Sequence, residues 1–203
     1  MAKNLTGPKE EGETPLDDLS GALVDIKTRQ ELDELEHKNN NKAYAKYLLM
    51  NPSKKALPMT YQSLCEIHKD MFGEVWSWAG EKRTSEKNLG VSPVKIGSEI
   101  HRFLHELHQW EKEGAPPSEI AAKMHHRLVA VHPFENGNGR WARLVTNLYL
   151  HKNGQPLIQW PTDPDFVEKV FRPQYLAALK SADKGDYKPL LKLHREHGKN
   201  EAP

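Results

Sequence analysis

The residue types that could do chemistry crowd into one stretch, His132-Pro-Phe-Glu-Asn-Gly-Asn-Gly-Arg140, followed by Trp141-Ala-Arg143. Gly137 and Gly139 permit positive φ and close backbone approach, and Asn138 between them tolerates the left-handed region. Successive N–H groups in such a turn converge into an anion-binding nest. A helix starting just after Gly139 adds its N-terminal N–H groups and its dipole to that pull. Arg140 and Arg143 are three apart, so on a helix they share a face and can hold a polyphosphate in a charge-assisted fork. His132 stands at the loop's other end as a base. Asn-Gly-Asn-Gly alone is only a turn signal. The whole constellation reads as a phosphate cradle with a base beside it.

Positioning such a loop falls to the elements on either side. Pro116-Pro-Ser118 resets the chain, and Ser118 caps a helix that turns Ile120, Met124, Leu128 and Val131 inward and delivers His132; His125 and His126 on it read as packing or surface residues. After the loop, Trp141, Leu144, Val145 and Leu148 repeat at three and four, which predicts a second buried helix as far as Lys152-Asn-Gly154. The loop is then the joint of a central helix pair. Thr28-Arg-Gln-Glu31 has the form of a capping box, with Leu32, Leu35, Ala43 and Tyr47 at helical intervals and a candidate break at Asn39-Asn-Asn41. Pro52-Ser-Lys-Lys separates this from a helix predicted over 61–77, capped by Thr60, with Leu64, Ile67, Met71 and Val75 as its apolar stripe. From Arg83 to Ile96 the helical period is lost, and an extended loop or short hairpin is expected. Ser98 starts a helix to about 112. Its His101, His105 and His108 have metal-ligand spacing, but no carboxylate or cysteine completes a zinc site, and they read as a polar face. Pro161 to Pro164 start a further helical region that Arg172-Pro173 breaks or kinks. Gly185 ends it, and Asp186 caps a last helix to about 196. The predicted architecture is all-α, with a short β-hairpin flap.

The 203 residues suffice for one substantial domain. Residues 1–20 read as a poorly ordered arm, 21–196 as the domain and 197–203 as a tail. Charges nearly cancel at +1, so no general field draws the chain to nucleic acid or membrane. The single cysteine, Cys65, suits a reducing compartment and reads as a small core residue. No apolar run approaches a membrane span, and the first residues lack the apolar stretch of a signal peptide. A cytoplasmic location is expected.

The segment His132-Pro-Phe-x-x-Gly-Asn-Gly-Arg140-x-x-Arg143 resembles the signature of Fic-domain proteins. Trp78-Ala-Gly80, Arg83-Thr84, Lys87-Asn88-x-Gly90-Val91 and Asp183 to Leu190 also resemble Fic proteins, in particular the subgroup labelled mobile mystery protein B. The resemblance implies a protein adenylyltransferase that moves AMP from ATP to a Ser, Thr or Tyr hydroxyl of a target protein, with Mg²⁺ as companion ion. It implies His132 as base, the amides of Gly137 and Gly139 on phosphate oxygens, Asn138 hydrogen-bonded to phosphate, Arg140 on the leaving pyrophosphate and Arg143 on the γ-phosphate. Phe134 is the apolar anchor of the loop. Lys87, Asn88, Leu89, Gly90 and Val91 are the flap that aligns the target by strand addition. The family's acidic metal position holds Asn136, so either its amide oxygen, Glu135 through water, or another donor serves the metal. Many Fic proteins carry an inhibitory glutamate on a separate helix. Its motif is absent, but Glu34 or Glu36 could approach Arg143 from the acidic N-terminal helix, against the ordinary reading of such charges as a solvated helix face. The resemblance also implies a regulatory or antitoxin-like partner for a toxin-like enzyme. Two other functions stay open: transfer of a different phosphate-containing group, and a non-catalytic nucleotide-binding adaptor.

Overall fold

The computed structural model describes residues 19–50, 58–163 and 166–198. The arm expected over 1–20 lies outside them except for Leu19 and Ser20, as do the Pro52-Ser-Lys-Lys separator, Pro164 and the tail beyond Gly198. The helices are α1 (Arg29–Tyr44), α2 (Tyr61–Phe72), α3 (Ile96–Lys112), α4 (Pro117–Val131), α5 (Asn138–Lys152), α6 (Arg172–Ala182) and α7 (Lys188–His197). A π-helical turn extends α1 over Ala45–Leu49, and another, Val167–Phe171, leads into α6.

Local signals explain most of the boundaries. Thr28 Oγ1 accepts the Glu31 N–H at 3.1 Å at the start of α1. Thr60 and Ser63 bond each other's backbone N–H groups at 3.1 and 3.0 Å, closing a capping box on α2. Helix α2 stops at Phe72, shorter than the predicted 61–77, because Gly73 takes over as C-cap. Pro173 does not break the chain. The helical run passes from the π-helical turn Val167–Phe171 directly into α6, with Pro173 at its second residue.

Asn39-Asn-Asn41 does not break α1 either. The Asn39 amide is buried, donates to the Asp70 carbonyl at 2.9 Å and accepts the Glu74 N–H at 3.0 Å. It thereby satisfies backbone groups around the end of α2, and this bond pair docks α1 along α2.

Helices α4 and α5 form the central pair, with α3 against α4 and α2 against both α1 and α5. Ile120, Met124, Leu128 and Val131 of α4 meet Trp141, Leu144 and Val145 of α5, all 1% exposed or less. A smaller cluster, Ala122 with Phe171, Tyr175, Ala178, Leu179, Leu190 and Leu193, joins α6 and α7 to the other face of α4.

Among the described residues there is no strand, only an isolated bridge between Ala22 and Trp76. The expected hairpin over 83–96 is a loop. Its carbonyls at Ser85 and Val91 are taken by the Arg83 guanidinium, which replaces the ladder a hairpin would have formed.

Five histidines are buried in this frame, and four of them are pushed down by it. Burial pushes His68 and His194 down to about 3, His132 to about 4, and His125 well below the ordinary range. The folded chain refuses protons that the unfolded chain binds at about pH 6.5. Their contribution is therefore complete above that pH and is lost as pH falls from 6.5 towards 3–4, at about 1.4 kcal/mol per pH unit for each group. Denaturant melts are expected to show stability level above pH 7 and falling steeply between pH 6 and 4.5; a flat profile there would mean these rings titrate normally.

Candidate active site

The sequence Val131-His132-Pro133 ends α4 in a left-handed residue. His132 has φ 52° and ψ 61°, the one non-glycine residue with positive φ among those described. Strain of about 1–3 kcal/mol at such a position persists only where surroundings hold it. Here the holder is Arg83, whose buried guanidinium donates through Nε to the His132 carbonyl at 2.7 Å and through its terminal nitrogens to Ser85 and Val91. The Arg83 N–H meets the Pro133 carbonyl at 2.9 Å, and the Val91 N–H meets Val131 at 3.3 Å. One side chain ties the base to the flap.

The loop closes on itself through Asn138. Its amide donates to the Phe134 carbonyl at 2.8 Å and accepts the Phe134 N–H at 2.9 Å. Phe134, expected as an anchor, is 2% exposed and meets Trp141 edge-on at 5.0 Å. Its other face stacks on His68 at 3.7 Å. His68 also fixes the loop by hydrogen bonds. The Gly80 N–H donates to its Nδ1 at 3.0 Å, so the ring proton sits on Nε2, which donates to the Asn136 carbonyl at 3.0 Å. Sequence reasoning passed over His68, yet a polar residue on the Leu64–Ile67–Met71 stripe was a readable sign of a buried bonding role. Gly137, at φ 76°, is the N-cap of α5, and a Cβ there would strike the Phe72 ring.

His132, Asn136 to Arg140 and Arg143 face one cavity of about 350 Å³, whose opposite walls come from α1 and from the segment leading into α6. His132 is buried and its imidazole is neutral at pH 7. Burial is the main reason; a hydrogen bond with the Val129 backbone works the other way, and Arg83 and Lys87 add to the lowering. Arg140 lies 4.8 Å over the Phe72 ring and donates to Glu36 at 2.6 Å. Glu36 is 4% exposed and also accepts the Trp76 indole N–H at 2.7 Å. The expectation of Glu36 near Arg143 is thus corrected: it reaches Arg140, one turn earlier, because Trp76 holds it there. Glu34 is exposed and bonded to Gln30. Arg143 is surrounded by Trp160, Phe171 and Tyr175, with ring centroids at 5.1, 5.6 and 5.1 Å.

The acidic groups do not form a metal site. Mg²⁺ wants oxygen ligands, commonly a carboxylate beside phosphates. Asn136 brings an amide oxygen already accepting the Gly137 N–H at 2.6 Å. Glu135 is bonded to Ser85 at 3.0 Å and to Lys87 at 2.8 Å, on the flap side. No cluster of three potential ligands exists among the described residues, and His101, His105 and His108 are exposed. Asn136 and Glu135 are thus engaged with protein partners, and the described residues by themselves do not form a metal site. Cys65 is half-buried, packs against the core and has its thiol pushed up by burial, consistent with a packing residue.

A left-handed histidine at a helix end, a neutral imidazole, a clamped glycine loop at a helix start and two arginines on one cavity decide the comparison with known proteins. Residues 58–150 match the Fic/DOC family. The chain belongs to the Fic/DOC family. It is 32% identical over 142 residues to Protein adenylyltransferase Fic of Drosophila grimshawi, covering 68% of this chain and 28% of that protein. It is 31% identical over 150 residues to Protein adenylyltransferase fic-1 of Caenorhabditis elegans, covering 71% of this chain and 28% of that one. The solved structure of Fic-1 from C. elegans superposes with a TM-score of 0.66 at 28% identity, covering 87% of this chain and 51% of that chain. This Fic chain thus spans just over a quarter of the length of these curated relatives.

The flap is where a substitution should report most directly. Gly90 has φ 93°, and a Cβ there would run into the His132 side chain and sit 3.0 Å from the Val131 carbonyl. Gly90→Ala is expected to displace residues 87–91 and cut transfer to a target by roughly tenfold or more, as small misplacements near a reacting centre do, while nucleotide binding changes little. Equal losses in both would show that the flap does not act separately from the cradle.

Proposed function

We propose that this Fic domain, spanning about residues 21–196, transfers AMP from ATP to a Ser, Thr or Tyr hydroxyl of a target protein. The observation that carries this reading is the neutral, buried His132 at the lip of a cavity whose floor is the α5 N-terminus and whose wall carries Arg140 and Arg143. The target hydroxyl oxygen forms a bond to the α-phosphorus, the bond from that phosphorus to the bridging oxygen breaks, and pyrophosphate leaves. His132 takes the hydroxyl proton as the new bond forms, worth typically 10²–10⁴-fold in rate.

The first N–H groups of α5, from Gly137 to Gly139, face the α-phosphate with the helix dipole behind them. Asn138 contributes through this backbone, since its side chain is spent closing the loop onto Phe134. Arg140 neutralises the leaving pyrophosphate and Arg143 meets the γ-phosphate. Mg²⁺ is read as arriving on the triphosphate, whose oxygens supply the charge that Asn136 lacks. Residues 87–91 dock the target backbone, with Leu89 exposed beside the half-buried Lys87–Glu135 bridge. A cytoplasmic location, a toxin-like role and a regulatory partner belong to the same reading; separately, no described helix is long and apolar enough to cross a membrane.

Glu36 is read as an inhibitory residue that occupies Arg140 in the resting enzyme. A carboxylate bonded at 2.6 Å competes directly with phosphate for the guanidinium. Glu36→Gln keeps an acceptor for the Trp76 indole and removes the charge. It is expected to raise adenylylation severalfold, in line with the one to three kcal/mol roughly carried by a charged hydrogen bond. No gain would remove the inhibitory role.

A second reading, nucleotide binding without transfer, has one observation behind it: the Asn136 amide already occupies the Gly137 N–H. Incubation with ATP labelled at the α- or γ-position, followed by intact mass, separates the readings. AMP gain is expected. Phosphate gain means another group transfer, and no gain in the Glu36→Gln protein favours the adaptor. His132→Ala is expected to abolish labelling. Because His132 titrates at about 4, kcat/KM should stay level from pH 8 to about 5.5; a step near 6.5 would mean an exposed histidine is the base.

A further inference from the structure

Glu135 and Asn136 are neighbours in the chain but serve different sides of the loop. Asn136 lines the cavity, and Glu135 does not. The Glu135 carboxylate turns instead to the segment that follows Arg83. Its Oε1 accepts the Ser85 hydroxyl at 3.0 Å, and its Oε2 lies 3.2 Å from the same hydroxyl and 2.8 Å from Lys87 Nζ. Only 11% of the Lys87 side chain and 26% of the Glu135 side chain are exposed, so solvent screens this pair less than an ordinary surface bridge.

One carboxylate thus grips the chain at two positions, while Glu86 between them bonds elsewhere, its Oε1 accepting the Ser92 hydroxyl at 2.7 Å. Ser85 is held twice, since Arg83 donates to its carbonyl at 2.8 Å and Glu135 takes its hydroxyl. The flap belongs to no strand among the described residues. Backbone bonds tie its two ends, from Arg83 to Pro133 and from Val91 to Val131. The Glu135 contacts hold the stretch between those ends. A segment that is to add a strand to an incoming chain must present its N–H and C=O groups in a fixed register, and holding it there beforehand lowers the ordering cost of binding.

We propose that Glu135 is a positioning residue for the acceptor side of the reaction, clasping the flap through Lys87 and Ser85 so that an incoming protein segment is held over His132. The inference rests on the reading above in which residues 87–91 dock the target. Glu135→Gln keeps an acceptor for Ser85 and removes the charge facing Lys87. Lys87→Met removes the charge at the other end and keeps the apolar stem.

Two measurements on the full chain in the Glu36→Gln background test it. Hydrogen exchange at the Val91 and Arg83 amides reports whether the flap is held, and self-labelling with ATP, read as AMP gain by intact mass, reports transfer with this chain as the acceptor. Each single variant is expected to speed Val91 exchange roughly tenfold, the order carried by one hydrogen bond to a charged group, and to slow labelling by a similar factor. ATP affinity by calorimetry and exchange within α4 and α5 should stay at the parent values. The double variant should add little to either single, since both remove one interaction. Parent-like exchange in both singles overturns the clasp. Faster exchange with unchanged labelling overturns the positioning role, as does a loss of ATP affinity that matches the loss of labelling. No AMP gain in the Glu36→Gln parent instead overturns the transfer reading, and the positioning role with it, whatever the flap exchange shows.

Discussion

A buried guanidinium joins the two working parts of this domain, because Arg83 donates to the carbonyls of His132, Ser85 and Val91 at once. The first of these holds the base in a left-handed conformation that it would not keep alone. The other two shape the flap that lies across it. A planar fork with five donors suits three divergent carbonyls, which an ammonium on a flexible stem would not hold with the same geometry. Burial strengthens each bond and makes each expensive to lose. Base and flap are therefore one mechanical unit, and Gly90 is the contact where that unit has no spare room.

The loop between base and arginines is held from both sides by groups that never reach the nucleotide. Asn138 bonds both backbone groups of Phe134, and His68 both stacks on Phe134 and bonds the Asn136 carbonyl. This leaves the start of α5 facing the cavity with its loop fixed. Preorganised donors of this kind act where charge develops without having to reorganise. The same logic explains why the histidines are neutral: a charged ring at His68 would forfeit its bond from Gly80, since imidazolium has no acceptor.

The two arginines show how one helix face can present two kinds of charge. Glu36 bonds Arg140 at 2.6 Å, so any anion approaching that guanidinium competes with a carboxylate. Arg143 instead lies among aromatic faces, which attract a guanidinium without offering it a carboxylate. Along one cavity, then, one guanidinium has a carboxylate partner from α1 and the other lies among ring faces.

Read alone, the chain already declared most of its helices and the cradle itself. The 3.6-residue period of Ile120 to Val131 and of Trp141 to Leu148 placed α4 and α5, and the spacing of His132, Gly137, Arg140 and Arg143 placed the chemistry between them, because these are local patterns. What the sequence could not settle were contacts between residues far apart in the chain. Glu36 and Arg140 are separated by 104 positions, and only the docking of α1 on α2 through Asn39 decides that the carboxylate meets Arg140 and not Arg143. The hairpin gave way to a loop for the same reason: its β-prone residues supply the local preference, but Arg83 claims the carbonyls. Nothing in the spacing of Tyr175, His125 and His194 reveals that they form a hydrogen-bonded run across three helices. Local pattern fixes which groups face inward; only tertiary packing decides which of them find each other.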